Sequence, residues 1–251
     1  MQARFHKILM QFTLCSSILT TVFTSLASQA GVIYSIEKPG IQSSQVSGLT
    51  LTEDFDLLSN NSLAKGYQAD FGYYSVNKGT AKIHKFGVYG GAFGEGKYLF
   101  IPNNSAVKLS FDQAVGYFGF WWSAGDSGNQ LRITTKSENL MFATHQILDA
   151  AVLEPEHYGS PTRVSGNKRE PYGYVNLFAE TEADKIVSIE FFGRNFETDN
   201  HTTSIQRERI TGLTLAAVSV PEPKSSWLIG LGLLLLMIRQ TRCRQRTEHA
   251  R

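Results

Sequence analysis

Apolar and polar side chains alternate at a period of two through the middle of the chain. Val107, Leu109 and Phe111 are interleaved with Lys108, Ser110 and Asp112; Leu131 and Ile133 flank Arg132; Val187, Ile189 and Phe191 enclose Ser188 and Glu190. In an extended chain successive side chains point to opposite sides, so this pattern predicts strands with one dry and one wet face. Further strands are expected near 32–36, 71–76, 97–101, 116–122, 174–179 and 210–218, while Glu138–Ala151 fits either a strand or a short helix. Many short strands, frequent Gly and Asn turns and no convincing long helix predict an all-β fold: an antiparallel β-sandwich, jelly-roll-like, over residues 31–219. Within Tyr117–Trp122, alternation sends Tyr117, Gly119 and Trp121 to one face and Phe118, Phe120 and Trp122 to the other. One face must be core. The other is either covered by a further layer or free to stack on sugar rings.

The two ends break this pattern. Residues 1–30 carry Arg4 and Lys7, an apolar stretch from Ile8 to Leu26, and then Ser28-Gln29-Ala30. Small residues at Ser28 and Ala30 suit signal peptidase, so a signal peptide with cleavage after Ala30 is expected. Cys15 follows the bulky Phe12-Thr13-Leu14, which speaks against lipoprotein processing. At the other end, Trp227–Ile238 is apolar or glycine throughout and is bounded by Lys224 and Arg239. A buried core helix would show a polar face at helical period, and this stretch has none. It is short for a span, since a bilayer takes ~20 apolar residues. With snorkelling lysine and arginine and interfacial serines, 225–238 is expected to cross as a single transmembrane helix. Arg239, Arg242, Arg244 and Arg246 in the 239–246 tail would hold that end in the cytoplasm. Upstream, the prolines of Val220-Pro221-Glu222-Pro223 deny the backbone both helix and ladder bonds, leaving an extended strip that a protease or transpeptidase can grip.

Val220-Pro221-Glu222-Pro223, one apolar helix containing Gly230 and Gly232, and the arginines that follow resemble the PEP-CTERM sorting signal of Gram-negative bacteria, here spanning 220–246. Lys224 stands where a small residue is usual, and Gln240, Thr241, Cys243 and Gln245 interrupt the arginines. The resemblance implies a protein that meets the membrane during sorting, is processed by the transpeptidase exosortase, and goes to the cell surface or extracellular matrix alongside exopolysaccharide. Gly87-Val88-Tyr89-Gly90-Gly91, Gly94–Tyr98, Tyr117–Trp122 and the late Phe196-Glu197-Thr198-Asp199-Asn200 also look like exosortase-dependent surface proteins with a small β-rich domain. That likeness implies no enzymatic activity.

Charge and cysteine content agree with export. Of the chain's 24 basic and 22 acidic residues, the segments 1–30 and 221–251 hold eight basic and two acidic, which leaves 16 basic and 20 acidic for 31–220, a net charge of −4. An acidic body argues against nucleic-acid binding, which needs a basic face. Cys15 and Cys243 both lie in the terminal segments, so the body has no disulfide and must rely on its core.

Other motifs carry less chemistry than their spacing suggests. Gly91–Lys97 has the glycine and lysine spacing of a phosphate loop, but Tyr98 replaces the magnesium-binding hydroxyl; a glycine turn before a strand is expected. Gly125-Asp126-Ser127-Gly128 is similar to a serine-protease nucleophile segment, yet Asn129 follows it and His84 lies too near; a hairpin turn is expected over 123–129. His84, His145, His157 and His201 form no zinc spacing and read as solvated or core histidines. Glu197, Asp199 and Asn200 offer three oxygen-bearing side chains to calcium, short of the six it needs, and turn residues explain them as well. No other metal and no cofactor is expected. Tyr117, Trp121 and Trp122, with Tyr158 and Arg163 of the Pro- and Gly-rich loop Leu153–Gly173, are the candidate ligand contacts. The function expected is a non-enzymatic surface or matrix protein with adhesive or glycan contact. The alternatives are a secreted polysaccharide hydrolase using carboxylates among Asp126, Glu190 and Glu197, and a single-pass membrane protein left uncut.

Overall fold

A computed structural model describes residues 31–60, 62–87, 89–144, 146, 153–162, 167, 169–207 and 216–217. The chain divides into two units after Ala30, and every described residue belongs to the second, 31–251. Among the described residues no helix is long and apolar enough to cross a membrane. The proposed span 225–238, the sorting residues Val220, Pro221, Glu222, Pro223, Arg239, Arg242, Arg244 and Arg246, the cleavage residues Ser28 and Ala30, and Arg163 and His145 all lie outside the described residues.

Two antiparallel sheets make the body. The first contains β1 (Val32–Ile36), β2 (Leu51–Glu53), β5 (Lys82–Lys85), β6 (Lys97–Ile101), β8 (Tyr117–Ser123), β11 (Gly173–Ala179), β13 (Phe196–Ser204) and β14 (Ala216–Ala217). Its order is β14-β1-β11-β8-β13-β6-β5, with β2 also paired to β13. The second contains β3 (Tyr67–Ala69), β4 (Gly72–Lys78), β7 (Ala106–Val115), β9 (Asn129–Thr135), β10 (Asn139–Ala143) and β12 (Ile186–Gly193), in the order β10-β9-β12-β7-β4-β3. The eight consecutive strands β6 to β13 fill the orders β6-β13-β8-β11 and β7-β12-β9-β10, crossing between sheets at every step except the β9–β10 hairpin.

The core lies where the two inner faces meet. Phe118, Phe120 and Trp122 of β8 oppose Leu131 and Ile133 of β9 and Ile189 and Phe191 of β12, all buried. His201 is buried among these rings, stacked 5.0 Å from Phe191 and edge-on to Phe118 at 5.3 Å. Its two ring nitrogens share 2.8 Å hydrogen bonds with the Tyr74 hydroxyl and the Thr198 hydroxyl. Burial pushes its pKa down to about 3, so the imidazole is neutral and the two hydroxyls satisfy it.

The period-two expectation meets local exceptions. A register shift between Ile186 and Ser188 leaves Val187 38% exposed, while Ser188 pairs with Ser110 and Thr134 on the outer face, so only Ile189 and Phe191 of that triplet are core. The Asp126 segment turns as expected, with the Asp126 carboxylate accepting the Gly128 N–H at 2.5 Å. It is not a hairpin, because it carries the chain from β8 in one sheet to β9 in the other. Glu138–Ala151 yields β10 over its first half; 145 and 147–151 lie outside the described residues.

Candidate functional site

The outer face of the first sheet is covered rather than open. On β8 it carries Tyr117, Gly119 and Trp121, paired with Phe178, Asn176 and Tyr174 of β11 and with Ser204, Thr202 and Asp199 of β13. Gly119 is required there: a Cβ at this position would run into the Tyr117 hydroxyl and lie 2.6 Å from the Tyr174 ring. The segment after β1 lies across this face and is held by hydrogen bonds. Tyr117 donates to Asn176 at 2.7 Å and shares a 2.8 Å bond with Ser44; Asn176 donates to the Glu37 carboxyl at 3.1 Å; Asn200 donates to the Gln42 carbonyl at 2.9 Å. Burial raises the Glu37 pKa, opposed by the Asn176 bond.

The glycine-rich segment before β6 covers the adjoining patch. Gly91, Gly94 and Gly96 take φ values of 97°, 82° and 75°, which only glycine adopts freely, and β6 follows directly with no helix. This is the turn the sequence predicts, without the helix N-terminus of a phosphate loop. Ala92 N–H donates to Asp199 Oδ2 at 2.8 Å, Phe93 N–H donates to Gln42, and the Trp121 indole donates to the Gly91 carbonyl at 3.1 Å.

These contacts decide the candidate ligand residues. Tyr117, Trp121 and Trp122 are all buried, Trp122 in the core with its indole donating to Asn129 at 2.8 Å. None presents a ring face to solvent, which corrects the reading of these three as stacking platforms. Tyr158 is 44% exposed and remains available. The calcium set is likewise not assembled. Glu197, Asp199 and Asn200 lie within β13 rather than in a turn; the two Asp199 oxygens accept N–H groups from Ala92 and Asn200, and the Asn200 amide is engaged by Gln42. Among the described residues no three or more His, Cys, Asp or Glu side chains are grouped to hold a metal ion.

What the fold does bring together is a set of carboxyls from distant segments. The Gly125 N–H donates to the Pro171 carbonyl at 2.9 Å, which joins the backbone beside Asp126 to the backbone beside Glu170, and Ser123 pairs with Glu197 of β13. Burial raises the Glu197 pKa to about 8, and the neighbouring charges of Glu170 and Asp126 add to the rise; Glu170 is raised by burial and by Asp126. Glu197 is 9% exposed, and among the described residues no donor reaches its carboxyl. No fully buried side-chain oxygen among the described residues goes without a partner, so the Glu197 carboxyl retains contact with solvent. Tyr98 and Tyr172 both feel the Glu197 charge, and burial, the larger cause, raises the Tyr172 hydroxyl to about 12. Tyr89 is 53% exposed and within electrostatic reach of Tyr172, and Tyr158 bridges to Pro171, the residue after Glu170.

Sequence reasoning named Asp126, Glu197 and Tyr158 as candidates; it met Tyr98 and Tyr89 only within other motifs and did not single out Glu170 or Tyr172, and nothing in their spacing could have joined them. Glu190, the third carboxylate considered, lies on the outer face of the other sheet, paired with Arg132 and bonded to Asn77. A separate groove of about 420 Å³ opens beside β2 between Leu49, Leu51, Asp70, Asp112 and Ile205. No protein-family model matches this chain, and no curated protein or solved structure matches it.

Proposed function

We propose that this chain is an exported, non-enzymatic surface or matrix protein of a Gram-negative bacterium, sorted through its carboxyl end by an exosortase-type transpeptidase after signal peptidase acts at the amino end. The observation that carries the reading is the order of three features in 220–246: the Pro-Glu-Pro strip, a single apolar stretch and the arginines. A thiol-free, net acidic body made almost wholly of strands supports it, since such a body folds outside the cell without disulfide pairing. We read that body as a jelly roll, because the strand orders β6-β13-β8-β11 and β7-β12-β9-β10 are those of two interleaved Greek keys. Its role is adhesive or glycan contact.

Replacing Pro221, Glu222 and Pro223 together with alanine is expected to leave a longer form retained in the membrane fraction, read by immunoblot and fractionation. Unchanged size and release in that variant would overturn exosortase processing. A chain that is never shortened even in the wild type would be a single-pass membrane protein instead. One observation favours a second reading, that of a polysaccharide hydrolase: Glu197 holds a proton at neutral pH beside the carboxyls of Asp126 and Glu170, as a general acid does.

A further inference from the structure

We propose that the groove beside β2 docks an extended segment of another protein, which adds as a further strand to the free edge of β2 and turns apolar and basic side chains into the groove. The inference goes beyond the sorting and glycan readings above and depends on neither.

Three observations meet at this groove. The first is its shape. It opens to about 420 Å³ between the ends of β13 and β7, and its floor is core: Phe71, just before β4, and Val115, which ends β7. β2 is registered on β13 with Leu51 opposite Thr203 and Glu53 opposite His201. Because His201 points into the core, alternation puts Leu51 and Ile205 on the same inner face, yet they are 47% and 48% exposed, and Leu49 beside them is 92% exposed. Of the nine exposed large apolar side chains among the described residues, these three line one groove. Scattered singly they would be ordinary; gathered on a concave surface they mark a place of contact.

The second observation is the backbone. β2 bonds to β13 along one side, and among the described residues none bonds to its backbone on the other. Strand edges are ordinarily guarded by lysine, proline or a covering loop. β5, which ends the same sheet, is guarded in two ways: it carries Lys82 and Lys85, and its Ile83 N–H donates to the Asn60 carbonyl at 3.4 Å. Leu49 to Glu53 hold no lysine or proline and offer leucines instead.

The third is charge. Asp70 and Asp112 line the groove, and no lysine, arginine or histidine does. Neither carboxylate belongs to an ion pair among the described residues; Asp112 accepts only the Gln68 amide, at 3.1 Å.

An unpaired strand edge is matched by main-chain N–H and C=O groups, an apolar groove along one side of it by apolar side chains at every second residue, and carboxylates at the rim by cations in that same row. A peptide strand supplies all three. An aliphatic small molecule would fill the groove and leave the edge unpaired. A second copy of this chain would set carboxylates against carboxylates.

The probe is a capped, fluorescein-labelled peptide, Thr-Lys-Thr-Leu-Thr-Leu-Thr-Lys-Thr, whose leucines and lysines share one face of a strand. Its binding to the full chain held in phosphatidylcholine nanodiscs is read by fluorescence anisotropy at neutral pH and about 0.15 M salt, against empty nanodiscs. Three comparison peptides are run beside it: one with both leucines moved a single place, which keeps composition and charge but puts leucine and lysine on opposite faces; one with glutamate for lysine; and one N-methylated at two adjacent central amides. The expected result is saturable binding of the probe, with each comparison peptide bound at least about tenfold more weakly, and slowed hydrogen exchange at the amides of Leu51 to Glu53. Leu49→Lys, at a position open to solvent, is expected to weaken the probe about tenfold or more. Phe93→Lys adds the same charge at a 58% exposed position on the segment that covers the other face of the sheet, and is expected to leave binding unchanged.

Equal binding of the isomer with moved leucines, or of the N-methylated peptide, would overturn strand addition, and the comparison needs no variant of the protein. Equal binding of the glutamate peptide would remove the basic partner. Equal losses in Leu49→Lys and Phe93→Lys, exchange at Leu51 to Glu53 left unchanged, or no binding of the probe would overturn the inference outright. A dimer in sedimentation that Leu49→Lys abolishes would also overturn it, by giving the groove to a second copy. Every one of these outcomes leaves the sorting reading untouched, since that rests on 220–246.

Discussion

The two sheets solve opposite problems with the same strand geometry. In the second sheet, β7, β9 and β12 bury one face and leave the other to water, with Lys108, Arg132 and Glu190 outward. In the first, β8, β11 and β13 are buried along their whole length on both faces. Its inner face is hydrocarbon apart from the neutral His201 and threonines such as Thr198, which is bonded to it; its outer face is polar, satisfied by tyrosine hydroxyls, amides and backbone groups from the covering segments. Burial by solvent-excluding loops therefore does not require an apolar surface, only one whose donors and acceptors are matched. Glu197 is the place in that outer layer where the matching stops.

Substitutions that separate the layers sharpen this contrast. Trp122→Ala empties the inner face of its largest ring and removes the indole bond to the Asn129 side-chain carbonyl, which keeps the Asp126 N–H, at an expected cost of about 3–5 kcal/mol in denaturant unfolding. Lys108→Ala, outward on β7, should change stability by less than about 0.5 kcal/mol, and a comparable loss at both positions would erase the distinction between faces. Next comes Gly119→Ala, which adds one methyl group to the outer face of β8. Because the Tyr117 hydroxyl and the Tyr174 ring occupy that space, it is expected to cost about 1–3 kcal/mol, whereas a face open to solvent would accept it freely.

A further effect is a change in pH dependence. Glu197 is raised from its usual value of 4.5 to about 8, so between those values the folded state holds a proton that the unfolded chain has released. Its contribution to stability therefore falls as pH rises from about 4.5 to about 8 and is constant beyond. Asp199, raised to about 8 chiefly by burial, acts in the same direction. Glu197→Gln is expected to leave stability at pH 4 unchanged and to raise it at pH 8 by about 1–3 kcal/mol, measured as a difference between the two unfolding curves. A gain equal at both pH values would place the effect in packing rather than in ionisation.

Legibility in the sequence followed the same division between sheets. Val107, Leu109 and Phe111, and Leu131 and Ile133, gave clean alternation because water lies on their outer side. For Tyr117–Trp122 alternation assigned the two faces correctly but could not say whether the outer one was covered, since aromatic residues suit a buried layer and a binding platform equally. Val187 was misassigned because a register shift costs one residue and leaves no mark in composition. In the candidate site, Asp126 and Glu197 drew notice as isolated carboxylates, while Glu170 and Tyr172 did not, because a single backbone bond from Gly125 to Pro171 carries them there.

By itself the sequence determined the strand-rich body, its lack of thiols, its acidic charge and the character of its two ends, all properties that depend on local order and composition. Only the tertiary structure decided which aromatic face would be sealed, that Asp199 would be satisfied while Glu197 would not, and that Glu170 and Asp126 would come within electrostatic reach of Glu197. Those outcomes depend on the path of covering loops over a sheet, and a loop's path is set by contacts with residues far from it in the chain.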